Sequence, residues 1–138
     1  MTQRRHDAGG FTLLELLMVV IIIAILASIA LPQYLRVAER TRSAEALTIL
    51  AAMRSSEARY KSQDPGNLYT KTLTDLDMDI PVSSLWAYTV DGTGAGSNAI
   101  ATRSAGAQGG KIIQLDLDTG NSCSDAGNIF GLTAGTGC

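Results

Sequence analysis

Hydrophobic and polar positions divide this chain into three regimes. From Phe11 to Leu31 the run FTLLELLMVVIIIAILASIAL is interrupted by polar side chains only at Thr12, Glu15 and Ser28. As a helix rising about 1.5 Å per residue, it would cross a hydrocarbon core of roughly 30 Å. From Gln33 to about Ser62 the apolar residues thin to a stripe, with Leu35, Ala38, Ala46, Ile49, Leu50, Met53 and Tyr60 near spacings of three and four. Charges fill the other positions, and Arg36/Glu39, Arg42/Glu45 and Glu57/Lys61 stand at pair-forming separations on what reads as a solvated face. The two regimes together predict one helix of roughly fifty residues, far longer than the usual dozen. Pro32 lies inside it and predicts a kink near Ser28 to Pro32, because proline lacks the backbone donor and clashes with the preceding turn.

Asp64-Pro65-Gly66-Asn67 ends the helical pattern. A loop follows to Ser84, with one helical turn expected near Thr74 to Met78. In the third regime the periodicity changes to two. Leu85 to Val90, Asn98 to Arg103 and Lys111 to Asp118 read as strands joined by glycine-rich links, hence as a meander of hairpins. In the last of these, Ile113, Leu115 and Leu117 alternate with Ile112, Gln114, Asp116 and Asp118, giving one buried and one wet face. The fold class expected is α+β: a long N-terminal helix, half transmembrane and half amphipathic, packed on a small antiparallel sheet.

Glu15 does not suit a plain anchor, since a lone carboxylate within an apolar span costs several kcal/mol. A cation would answer it. Met1 to Gly10 is short and polar, carries Arg4 and Arg5, and closes on Gly9-Gly10. A secretory signal places its small-residue cleavage site after the apolar region, whereas here the small residues precede it. Cleavage between Gly10 and Phe11 would create an α-amine, positive at neutral pH, four positions from Glu15. The competing reading is an uncut signal anchor with Glu15 reaching back to the head groups.

The stretch Gly10 to Leu17, GFTLLELL, with the unbroken apolar run after it and then Ala30-Leu31-Pro32, resembles the class III signal of type IV pilins and type II secretion pseudopilins. The resemblance is close from Gly9 to about Glu45 and architectural beyond. It implies a leader, residues 1–10, cut by a membrane prepilin peptidase after Gly10, with N-methylation of the new first residue, Phe11. It further implies that Glu15 neutralises the Phe11 amine of an adjacent subunit during assembly. Residues 11–32 would be the transmembrane and filament-core half of the helix. Residues 33–138 would form the globular domain. A subunit of this kind would sit in the inner membrane before assembly and in an extracellular filament afterwards, with copies of itself, the peptidase and an inner-membrane assembly platform as partners.

The chain has 138 residues and a formal net charge of −2, and its basic residues form no cluster, so nucleic acid is not an expected partner. Asp75, Asp77 and Asp79 alternate as in a calcium loop, but Ile80 and Trp86 stand where glycine and glutamate would be needed. Gly92-Thr93-Gly94-Ala95-Gly96 has the wrong spacing for a dinucleotide fingerprint and reads as a turn. No metal site and no cofactor are expected. The two cysteines, Cys123 and Cys138, suit a disulfide in an exported chain, against free thiols or a metal pair for which His6 in the leader offers too little. Such a loop resembles the disulfide-bounded C-terminal region of type IV pilins. No histidine lies beyond the leader and no base stands beside a nucleophile, so no catalytic residues are expected. Three readings follow: a pilin polymerising through its N-terminal helix, a type II secretion pseudopilin, and a monomeric membrane-tethered binding module. The terminal cysteine loop inclines the choice to the pilin, because major pseudopilins more often resemble a calcium-bearing loop there.

Overall fold

A computed structural model of the chain describes residues 10–125 and 127–134. Helix α1 runs from Leu13 to Gln63, and strands β1 (Trp86–Val90), β2 (Asn98–Arg103), β3 (Ile112–Asp116), β4 (Ser122–Ser124) and β5 (Thr133–Ala134) follow, with short 3-10 turns at Leu73–Asp75 and Gly127–Phe130. The chain divides into two compact units, Met1–Leu35 and Arg36–Cys138.

In the second unit the five strands lie in sequence order. The pairs β1–β2, β2–β3 and β3–β4 are antiparallel, and β4–β5 is parallel. Register aligns Tyr88 with Ala101 and Ile113, and Val90 with Ala99 and Leu115, so two rows of apolar side chains cross one face. The small alanines of the middle strand leave room for Ala46, Leu50 and Met53 of α1, all fully buried in the same core cluster. Trp86 completes it. Its indole N–H donates to the Arg42 carbonyl at 3.1 Å, and Phe130 meets its ring edge-on at 5.5 Å between centroids.

The expected helix and its end are observed. At Asp64 the side chain accepts the amides of Gly66 and Leu68 at 2.9 and 3.1 Å, and Asn67 takes φ 53°, a left-handed conformation that asparagine tolerates. The turn expected at Thr74 to Met78 instead falls on Leu73–Asp75. Strands β4 and β5, three and two residues long, were not anticipated, because segments so short carry no readable alternation.

The solvated helix face requires a larger correction. Glu39 pairs with Arg42 at 2.5 Å and lies 3.8 Å from the buried Arg103, rather than meeting Arg36. Glu45 accepts the Ser83 hydroxyl at 3.0 Å, and Lys61 pairs with Asp118 at 3.1 Å. Glu57 is wholly buried, as are Ser43 and Ser56. Polar residues enter the buried stripe because the loops return onto it with backbone and side-chain partners that local spacing does not reveal. Ser43, for example, donates to the Phe130 carbonyl at 3.0 Å across 87 positions of sequence.

Candidate assembly site at the start of helix α1

Helix α1 opens on a reciprocal cap. The Glu15 amide donates to Thr12 Oγ1 at 3.2 Å, while the Thr12 amide and hydroxyl donate to Glu15 Oε2 at 2.8 and 2.7 Å. This is a capping box: the Thr-x-x-Glu spacing places the glutamate in the first turn, where it reaches back to the exposed N–H groups. Glu15 is thus supplied with two donors by its own chain. A cation is not the only means of satisfying it, contrary to the expectation from hydropathy. Thr12 is the residue that sequence reading passed over, although Thr12-Leu13-Leu14-Glu15 before an apolar run is the signature that could have found it.

Gly10 and Phe11 lie immediately before the helix and are exposed, Phe11 to 78%. All positions from Phe11 to Leu31 are exposed within the single chain, and α1 is long and apolar enough to cross a membrane. A continuous apolar surface of this size is covered by lipid or by other chains in any stable state. Tyr34, one turn beyond the apolar run, is likewise exposed, to 70%. Pro32 is contained in α1, with helix on both sides. Next to it, the Ser28 hydroxyl donates to the Ile25 carbonyl at 2.7 Å.

The remaining candidates are scattered. Cys123 is buried on β4, and Cys138 lies outside the described residues, as do Arg4, Arg5 and His6. No free cysteine occurs among the described residues. Asp75 accepts the Thr70 hydroxyl at 3.1 Å, whereas Asp77 is engaged by Ser56 and by Arg59, whose guanidinium holds its carboxyl down to about 2. Among the described residues no group of acidic, histidine or cysteine side chains is arranged to hold a metal.

An exposed apolar helix with a capped acid at its start, followed by a helix-on-sheet unit, defines an α+β protein whose first helix is long and apolar enough to cross a membrane. A family profile described as the prokaryotic N-terminal methylation motif matches residues 5–31. The type IV narrow pilus major component PilA5 of Thermus thermophilus is 31% identical over 111 residues, covering 80% of this chain and 96% of its own length. The type IV major pilin protein PilA of Myxococcus xanthus is 43% identical over 54 residues, 39% of this chain and 24% of that protein. A fimbrial protein of Pseudomonas aeruginosa is 36% identical over 87 residues, 62% of this chain and 54% of its own. The chain therefore spans under a quarter of the Myxococcus relative and about half of the Pseudomonas one. No solved structure matches it. This chain belongs to the type IV pilin family.

Proposed function

We propose that this protein is the structural subunit of a type IV pilus, polymerising through the N-terminal part of helix α1. The observation that carries the reading is the match to a narrow pilus major component along 96% of that relative, joined to a methylation motif at residues 5–31. The relatives give no support to a secretion pseudopilin or to a monomeric tether. In this reading a peptidase cuts between Gly10 and Phe11, the Phe11 amine is methylated, and the apolar run passes from membrane lipid to contacts with identical helices. Glu15, already held by Thr12, turns its remaining acceptor capacity to the Phe11 amine of a neighbouring subunit. Two unit charges about 4 Å apart attract by about 4 kcal/mol at an effective dielectric of 20, most of which desolvation offsets. The pair therefore sets docking depth more than it adds stability. Pro32, which leaves the Ser28 carbonyl without its helical donor, bends the apolar stretch. Cys123 and Cys138 close a disulfide loop on the outer surface.

The test is mass spectrometry of the mature chain together with electron microscopy of sheared cell surfaces. The expected result is an N-methylated Phe11 terminus on chains recovered from fibres. A chain that retains residues 1–10 on functioning cells, and never occurs in a polymer, overturns the reading.

A further inference from the structure

Assembly through the start of α1 makes no use of Glu57, a carboxyl buried completely near the other end of the helix. Its Oε2 accepts the Thr70 amide at 3.0 Å. Its Oε1 is buried and has no hydrogen-bond partner. A carboxyl placed this way carries a large cost when ionised, because only one donor replaces the water it has lost.

The groups around it do not supply a counter-charge. From the loop, Asp75 faces it with a like charge, and Asp75 accepts the hydroxyl of the same Thr70 at 3.1 Å. On its own helix Arg59 is committed to Asp77 and Lys61 to Asp118. Arg54 donates to the carbonyls of Leu117 and Asp118 at 3.0 and 3.1 Å. From the sheet side, Asp118 is taken up by Tyr69, Lys61 and the Gly96 amide. Glu57 forms no ion pair among the described residues.

The segment that Glu57 holds is the connection from the helix to β1. Residues 64–80 pack Tyr69, Leu73, Met78 and Ile80 against the apolar core, and carboxyl groups tie them further to α1 and the sheet: Tyr69 to Asp118, Thr70 to Glu57, and Asp77 to Ser56 and Arg59. We propose that Glu57 is a proton-controlled latch, which holds residues 64–80 on helix α1 while protonated and loosens them when it ionises. Opening the segment restores water to the carboxylate and separates it from Asp75. Burial, reinforced by Asp75 and opposed by the Thr70 hydrogen bond, pushes the Glu57 carboxyl above the ordinary carboxylate range. The other two ties behave differently, since Asp77 and Asp118 are each held at about 2 and stay ionised throughout.

Linkage sets the sign. The closed form binds the proton more tightly than the open form. The opening constant therefore rises with pH, up to tenfold per unit, from the ordinary glutamate value until the closed form has itself ionised, and is flat above. The experiment is amide hydrogen exchange of the full chain in detergent micelles across that range, with rates corrected for intrinsic exchange. The expected result is loss of protection at Thr70 as pH rises, with Ile113 in the sheet unchanged. Glu57→Gln removes the pH dependence, and Asp75→Asn, which deletes the like charge, makes the rise smaller and ends it at lower pH. Protection at Thr70 that is flat with pH, an identical rise in Glu57→Gln, or a parallel rise at Ile113 overturns the latch. The native chain and Asp75→Asn carry the test even where Glu57→Gln does not fold. The result is independent of whether the chain polymerises.

Discussion

Single residues hold this protein's ends and turns in place, and Asp118 does so for three segments at once. Its carboxylate accepts the Tyr69 hydroxyl at 2.6 Å, the Gly96 amide at 3.0 Å and the Lys61 ammonium at 3.1 Å. These donors, the Tyr69 hydroxyl foremost, hold it at about 2. Because the folded form binds the proton more weakly than the unfolded chain, the contribution is complete above the ordinary aspartate value near 3.8 and disappears as pH falls towards 2. Asp118→Asn should therefore flatten the acid limb of stability between those values, as read by melting temperature against pH. Gly120 nearby takes φ 76°, and an added Cβ would stand 3.0 Å from Arg54 Cζ. Gly120→Ala should cost about 1–2 kcal/mol from the left-handed backbone alone. Denaturant titration in micelles measures that cost, and an unchanged midpoint would refute the strain.

At the level of elements, α1 serves two environments with one continuous helical pattern. Its first part is exposed at every position to Leu31, whereas Ala46, Leu50 and Met53 are buried completely on the sheet. The contact is close because Ala99 and Ala101 of β2 stand between the larger side chains of β1 and β3. Leu50→Ala should thus cost 2–5 kcal/mol, roughly the range for a buried leucine whose neighbours collapse only in part. A loss below about 1 kcal/mol by chemical denaturation would show that the neighbours refill the space. At the start of the helix, the Thr12–Glu15 cap means that a substitution at Glu15 removes a helix cap as well as a charge. Helix-end fraying and filament yield therefore need separate readouts in any Glu15 variant.

At the level of the whole molecule, the apolar run and the sheet unit have separable failures. Glu15→Val should still insert in membranes yet be absent from fibres, which immunoblots of membrane and sheared-surface fractions would show. Normal filament yield would count decisively against the charge pairing. On the proposed pairing of Cys123 with Cys138, reductant should leave membrane insertion intact and destabilise the sheet unit by about 3 kcal/mol, the chain-entropy value for a loop of this length. The measurement is denaturant unfolding with and without reductant.

Much of this was legible in residue order. The apolar run, the long helix with its stop at Asp64, and the three longer strands follow from periodicity and turn chemistry, which depend on neighbours in sequence. The Thr12–Glu15 cap is local for the same reason, since the Thr-x-x-Glu spacing lies within one helical turn. The pairings across sequence were not legible. Glu57 is buried where Thr70 arrives over it, the partner of Lys61 lies just past β3, 57 positions further on, and β5 pairs in parallel with β4. Local spacing determines which residues share a face of a helix or strand. Only the closed fold decides which charged residues on that face lose their water and which partner each then meets.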